Sequence, residues 1–457
     1  MNPNNSHIDR NDSAIDPQGA AAAETGRTLK QMGRAVKKNL NRQVQFMLNS
    51  CVNCGLCAES CHYYCATGDS DLIPANKFKK VHKILQTHFH PLKSRLPFLL
   101  KTDKFNEHLL TDLYKAAYEN CTLCGKCTLT CPMGINTAEI LYLARAMLAA
   151  IGRLPSGLEK PVETFFKVGN YLDLTTADFI ETIEWFAEEM SDEIGEENFS
   201  IPIDKKNAEV LYIPHPLEVR DLPFLVMYAI KIFHFAGEDY TFSSHDFDTV
   251  NYAYYQGCKD NMMRIAQRML DARENLQAKH IALAPCGHGY RVMRWEVEKY
   301  LGKPFTFPPV QTIVELIDRY LRQGRIKLKK DTFAGPMTYH DPCNIARRGG
   351  VLQAPRNILQ ALTSTFVEMQ PRGARNYCCG GGGGLASIGD YGQLRITMGN
   401  KNAEQIRHTG AKVVVTNVFN CMTQIRDLNK AYELNIEVKS IVELVAESLN
   451  PNVAALG

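Results

Sequence analysis

Asn376–Tyr377–Cys378–Cys379–Gly380–Gly381–Gly382–Gly383–Gly384 is the stretch on which the reading of this chain turns. Two adjacent cysteines bond each other poorly, because a planar trans peptide resists the separation and dihedral that a disulfide needs. Adjacent thiolates instead suit neighbouring iron atoms of one cluster. The five glycines remove side chains, so the backbone can approach a bulky ligand and adopt positive φ. Two further cysteines flank the pair at long range, Cys343 in Tyr339–His340–Asp341–Pro342–Cys343 and Cys421 in Val418–Phe419–Asn420–Cys421. The plainer alternative is a buried reactive pair beside a flexible loop.

The surrounding composition narrows the class. The chain has 457 residues, 45% hydrophobic and 22% charged, which describes a globular protein of about three domains. A net charge of +3 is small for this length and suggests no nucleic-acid partner. Fifteen cysteines are many and their spacings are short. Residues 1–28 carry no apolar signal-peptide core, so metal-bound thiolates in a reducing, cytoplasmic compartment are expected rather than disulfides. The longest apolar run, Leu222 to Phe235, contains Lys231 and predicts a buried helix, not a membrane span.

Two cysteine runs precede the paired cysteines. Cys51-x-x-Cys54-Gly-x-Cys57-x-x-x-Cys61 recurs as Cys121-x-x-Cys124-Gly-x-Cys127-x-x-x-Cys131-Pro132. This is the bacterial ferredoxin run, in which the fourth cysteine ligates the other cluster. Two cubane [4Fe–4S] clusters follow, one on Cys51, Cys54, Cys57 and Cys131, the other on Cys121, Cys124, Cys127 and Cys61. Zinc is the alternative for any CxxC pair, but two tandem four-cysteine runs disfavour it. His62 stands where the first run would have proline, and Cys65 is an extra thiol, read as structural or free.

The rest of the chain falls into four parts. Residues 1–28 read as a disordered leader, and 29–155 as an α-helical ferredoxin domain. Residues 156–250 read as a proline-punctuated connector with an acidic stretch at 181–197, and 251–449 as tandem α/β halves. The domain 29–155 opens with a basic apolar-periodic helix over 29–47, suited to packing or to docking on a membrane or partner. In the α/β part, strands are expected at Tyr252–Gly257, His280–Ala284, Phe305–Phe307, Met337–His340, Val413–Thr416 and Ile436–Val438. Thr312–Ile317 matches Ser440–Val445, which suggests duplication, with Cys258 aligned to Cys343 and Cys286 to Cys421.

The set Cys343…Cys378–Cys379–Gly380…Cys421 is similar to the CCG domain of heterodisulfide reductases. Tandem CCG-like halves behind two ferredoxin motifs resemble the HdrD subunit and its DsrK, TmcB and Hmc-type relatives. Cys286–Gly287–His288–Gly289–Tyr290–Arg291 and His340–Asp341–Pro342–Cys343–Asn344 look like the DsrK-type versions. The fold implied is α/β with an α-helical part: a helical ferredoxin domain, then a duplicated α/β cysteine-rich domain. The resemblance implies that Cys343, Cys378, Cys379 and Cys421 bind a noncubane [4Fe–4S] cluster that cleaves a disulfide or trisulfide. The family motif ends in CxxC, whereas this chain reads Cys421–Met422–Thr423–Gln424, so Cys286 or Cys258 would have to substitute, or one iron stays open. His288 and His340 are candidate proton donors or loop-orienting residues. Implied partners are a membrane-bound cytochrome b or quinone-interacting subunit, other iron–sulfur and cytochrome c subunits, and a DsrC-type thiol protein or small disulfide. The implied location is the cytoplasmic face of the inner membrane, held through those subunits. Two other readings stand: an electron relay without chemistry of its own, and the iron–sulfur subunit of a flavin-dependent hydroxy-acid dehydrogenase such as glycolate oxidase.

Overall fold

The computed structural model of the chain describes residues 17–89, 105–302 and 310–450. Its architecture is mixed α/β: a helical N-terminal part leads into two four-stranded parallel sheets flanked by helices. The basic segment forms two helices, Pro17–Asn39 and Arg42–Ser50, not the single one expected over 29–47. Asn41 makes the break, because its extended backbone lets its side chain accept from Val44 N at 2.8 Å and cap the second helix. The first helix begins inside the stretch expected to be disordered, and residues 1–16 of that stretch lie outside the described residues. It packs along helix Thr137–Ala149 through Met32 and Val36, which are buried. Among the described residues no helix is long and apolar enough to cross a membrane. Leu222–Phe235 accordingly contains a packed helix, Pro223–Phe235, with Val226, Ile230 and Phe233 inside.

The two sheets share one plan. Strands β1 (Val210–Ile213), β2 (Tyr240–Thr241), β3 (His280–Leu283) and β4 (Gln311–Thr312) lie in the order β2-β1-β3-β4. Strands β5 (Met337–Tyr339), β6 (Phe366–Val367), β7 (Val413–Thr416) and β8 (Glu437–Ser440) lie in the order β6-β5-β7-β8. Register repeats as well: Val210 pairs with Tyr240 and His280, and Met337 with Phe366 and Val413. The matched hexapeptides occupy equivalent places, each opening a helix with a capping box. Glu315 accepts from Thr312 N at 2.9 Å, and Glu443 accepts from Ser440 N at 3.1 Å. The sheets are the two halves of a duplication.

Two sequence expectations give way here. Tyr252–Gln256 is a helix, not a strand: Asn251 accepts from Tyr254 N at 3.3 Å, and Gly257 ends the turn at φ +99°. All five side chains of that helix are buried, so packing overrides the β preference of its aromatic residues. The opening strand of the first half is β1, a four-residue apolar run followed directly by Pro214, so the stretch read as a connector supplies two strands of the first sheet. The repeat register shifts in consequence. Pro216, not Cys258, falls opposite Cys343, while His288 falls opposite Cys421 and Cys286 opposite Phe419. The strand expected at Phe305–Phe307 lies outside the described residues.

Candidate metal centre

The two four-cysteine runs fold into the same turn. Asn53 and Leu123, each just before the second cysteine, both have φ +55°, and Gly55 and Gly125 follow at +80° and +72°. Holding the fully buried Leu123 there costs about 1–2 kcal/mol, which marks a turn over-determined by its surroundings. Thiols from the two runs then mix. Cys51, Cys54, Cys57 and Cys131 line one cavity, with Cys127 also on its wall. Burial pushes the Cys127 thiol up, reinforced by its neighbours Cys124, Cys121 and Cys61. Lys77, buried on a helix face, places Nζ 3.4 Å from Cys61 Sγ and 2.8 Å from the Asn120 carbonyl. Burial lowers the Lys77 pKa, but Cys61, Cys121 and Cys127 outweigh it, so the ammonium stays charged beside those sulfurs. Cys65 stands apart, donating to the Glu59 carbonyl at 3.2 Å.

A third group of thiols lies at the C-terminal ends of β5 and β7, where ligands bind in open parallel sheets. Cys343, Cys378, Cys379 and Cys421 line one cavity, joined by His340 and, from the first half, His288. Asp341 anchors the Cys343 loop: Arg356 donates to both its oxygens, at 2.9 and 2.8 Å, and Gly373 N at 2.7 Å. Cys379 and Cys421 sulfurs are 3.6 Å apart. Cys378 has Cys343 and Cys379 as neighbours on one side and Cys124, from the second ferredoxin run, on the other. The Cys124 contact lowers the Cys378 pKa, but Cys343, Cys379 and burial together drive it well up. Thiols crowded this way resist ionisation until a cationic group reverses the balance, which is what bound iron does.

The glycine run does what its composition suggests. Gly382 passes between Cys378 and the ferredoxin loop, its missing Cβ falling 3.6 Å from Thr122 Cβ and 3.7 Å from Cys378 Sγ. Gly383 has φ +70°, and a Cβ there would lie 2.7 Å from Thr122 Cα. Gly383→Ala therefore meets a backbone clash on top of left-handed strain of ~1–2 kcal/mol. Thermal unfolding of the purified variant is expected to start well below the wild type, and wild-type behaviour would show that the loops do not pack this way.

Some expected contributors are absent from the cavity. Cys286 lies outside its lining, its Sγ accepting from Gly289 N at 3.5 Å as a helix cap, and burial pushes its thiol up to about 12. Cys258 lines a different cavity, with Arg34 and Lys38, because it precedes the wrong helix for the repeat. Gln424, at the place of the family's last cysteine, is fully buried but turned to Arg395, which it both accepts from and donates to, the latter at 3.0 Å. Burial lowers the His288 pKa to about 3, helped by Arg291 and Arg145, and that of His340 to about 4. Both imidazoles are thus neutral near pH 7, so neither is a ready imidazolium acid; what either has to give is a neutral N–H.

Sequence reading missed the residues that clamp this junction. Arg145 donates to the carbonyls of Ala117, Cys121, Tyr255 and Gly383, at 2.9, 3.0, 2.8 and 2.7 Å. Arg291 donates to Leu123 O at 3.1 Å and Arg347 to Cys124 O at 2.9 Å. Three guanidinium groups therefore hold the Cys121–Cys124 turn; Arg145 also ties it to Gly383 of the glycine loop, and Arg347 to Asn376 just before the paired cysteines. One signal was available: Arg145 interrupts an otherwise apolar helix, Ile140–Leu148.

Two four-sulfur sets and a four-sulfur cavity fit iron–sulfur clusters, and the class follows from family models as well. Residues 47–135 match the 4Fe-4S dicluster domain and residues 337–426 the cysteine-rich CCG domain. The chain is an iron–sulfur protein carrying both domains. Over 90% of its length it is 25% identical to the Hdr-like menaquinol oxidoreductase iron-sulfur subunit 2 of Archaeoglobus fulgidus, covering 81% of that protein. It is 26% identical, over 90% of its length and 96% of the relative, to one subunit of the dihydromethanophenazine:CoB–CoM heterodisulfide reductase of Methanosarcina barkeri. The EtfAB:quinone oxidoreductase of Syntrophomonas wolfei is 24% identical over 86% of the chain, which spans 56% of that protein.

Proposed function

We propose that this chain is the electron-transferring subunit of a heterodisulfide-reductase-like complex, and that a disulfide or trisulfide is reduced, or formed, at the Cys343–Cys378–Cys379–Cys421 cavity. The observation that carries this reading is the packing of the second ferredoxin run directly on the cavity loop: Arg347 donates both to Cys124 O, at 2.9 Å, and to Asn376 O, and Gly382 lies between Thr122 and Cys378 Sγ. In this reading Cys51, Cys54, Cys57 and Cys131 hold one cubane [4Fe–4S] cluster, and Cys121, Cys124, Cys127 and Cys61 a second. Cys343, Cys378, Cys379 and Cys421 hold a noncubane [4Fe–4S] group, which supplies electron storage beside an opening for substrate sulfur. The protein does the rest. Lys77, Arg145, Arg291 and Arg347 put positive charge and donors beside Cys61 and the Cys121–Cys124 turn, favouring the reduced state there. Reducing one disulfide consumes two electrons and two protons and releases two thiols.

Electron entry fits the other set. Of thirteen exposed large apolar side chains among the described residues, five are Phe46, Val52, Leu56, Leu129 and Met133, and Val52 is 79% exposed. Val52, Leu56 and Met133 line the cavity of Cys51, Cys54, Cys57 and Cys131, so that set lies under an apolar collar suited to a partner subunit. A membrane cytochrome b or quinone-interacting subunit is the partner class, since the relatives are named for menaquinol, dihydromethanophenazine and quinone. Attachment to the cytoplasmic membrane face would then come from partners. A DsrC-type protein thiol is the substrate class for the cavity in a sulfur-metabolising member. One observation favours a second reading, a relay without chemistry: Gln424 removes a sulfur from the family's ligand set.

Low-temperature EPR with iron and sulfide counts on anaerobically purified protein separates the two. A paramagnetic species that appears with substrate thiol under oxidising conditions, and vanishes in Cys378→Ser, is the expected result. Cubane signals alone, with about eight irons per chain and no thiol response, would leave only the relay.

A further inference from the structure

The cavity has four sulfurs where the related motif has five, and neither Cys286 nor Cys258 reaches it. A nitrogen does. The His340 ring, Cys379 and Cys421 bring one ligand atom each to within 4.8 Å of one another, and all three residues are buried. Two thiolates on one tetrahedral metal at ordinary bond lengths lie about 3.8 Å apart. The 3.6 Å between Cys379 and Cys421 matches that and is far from a disulfide.

The surroundings of His340 decide which nitrogen is free. Nδ1 faces two side-chain amides, with Asn402 Nδ2 at 3.2 Å and Asn376 Nδ2 at 3.5 Å. Asn376 Nδ2 is committed to Asp341 O at 2.8 Å and at 3.5 Å is too far to bond Nδ1, although its own Oδ1 is also buried without a partner. Asn402 is not fixed: its other contact, to Gln405, is 3.5 Å long, and its Oδ1 is buried without a partner. An amide's oxygen and nitrogen are interchangeable by a flip, and a buried carbonyl left unpaired costs about 1–3 kcal/mol. Turning the Asn402 amide places Oδ1 on Nδ1, where it accepts an Nδ1–H and leaves Nε2 with a bare lone pair. That is the arrangement of a metal-bound histidine, whose other nitrogen donates to an oxygen behind it. The ring is held at both ends of its backbone, by His340 N donating to Val415 O at 2.9 Å and by Thr416 Oγ1 donating to His340 O at 3.2 Å.

We infer that His340 would be a ligand of the cavity's iron–sulfur group through Nε2, beside Cys379 and Cys421, replacing the sulfur that Gln424 does not supply. Asn402 is the positioning residue that fixes the tautomer. The inference rests on the iron–sulfur reading of the cavity. It moves His340 from proton donor to ligand and leaves the proton-donor role to His288, across the cavity.

The test is pulsed EPR nitrogen spectroscopy on the thiol-induced species of the full chain, grown with natural or 15N-labelled histidine. A coupling of coordinated-imidazole size that changes with the label, is lost in His340→Cys with iron content kept, and persists in His288→Gln is the expected result. Asn402→Leu should weaken the coupling while leaving the ferredoxin-set signals unchanged. A thiol-induced species with no label-sensitive coupling overturns the ligand assignment and leaves the proposed function standing. So does a coupling that disappears in His288→Gln but not in His340→Cys. If no thiol-induced species forms and iron stops at about eight per chain, both the ligand and the catalytic reading fail together.

Discussion

Arg145→Met is expected to abolish stable, iron-loaded protein, although Arg145 is not a candidate metal ligand. The side chain is fully buried, and its four acceptors belong to separate parts of the chain: Ala117 and Cys121 in the helical part, Tyr255 in the first α/β half, Gly383 in the second. Methionine fills much of the volume and donates nothing. Four buried carbonyls then lose a partner at about 1–3 kcal/mol each. Even the low end, ~4 kcal/mol, approaches the whole net stability of a small domain. Arg145→Lys is expected to fall between, because an ammonium keeps the charge but cannot span four acceptors with a planar fork. Thermal unfolding and iron per chain, measured after anaerobic purification, read the effect. A Met variant that loads iron fully and melts within a few degrees of wild type would mean that the junction relaxes and satisfies those carbonyls otherwise.

That residue also marks the limit of what could be read from sequence. The eight ferredoxin cysteines and the Cys378–Cys379 loop were legible because metal chemistry imposes short, local spacings that survive without a fold. Strand β7 was legible at its observed bounds, since Val413–Thr416 is a bare β-branched run, and the Thr312–Ile317 and Ser440–Val445 match fell on equivalent places in the two halves. What escaped is what tertiary contact decides. Strand β1 is as short and as apolar as β7 but set beside prolines, so it passed for connector. Tyr252–Gln256 has strand-like residues and a helix's caps, and the caps won. The shift of one element then misaligned the repeat and made Cys258 and Cys286 look like stand-ins for the missing sulfur. No spacing rule reveals that an arginine in an apolar helix reaches a glycine loop 238 residues away, although an isolated charge in such a helix asks for a partner.

Cys61→Ser should remove the metal set beside Cys378, even though Cys61 ends the first cysteine run. Lys77 donates to its sulfur at 3.4 Å and is held charged by Cys121 and Cys127 as well, while Cys131, from the second run, shares a cavity with Cys51, Cys54 and Cys57. Each single change therefore costs about four irons, but the two losses differ in consequence. With Cys131→Ser, a small dye reductant that needs no apolar collar can still feed the set containing Cys124 and, through Cys378, the cavity. With Cys61→Ser, nothing bridges the collar side to Cys378, and thiol-linked turnover with the same dye should fall by orders of magnitude. Dithionite-reduced EPR gives the independent readout: interacting cubane spectra in the wild type should collapse to one isolated signal in each variant, with different g-values in the two. If Cys61→Ser keeps dye-driven turnover while Cys131→Ser loses it, the crosswise grouping is wrong and each run holds its own metal. The Cys124–Cys378 contact would still join the second run to the cavity, because that contact does not depend on which fourth cysteine closes the set.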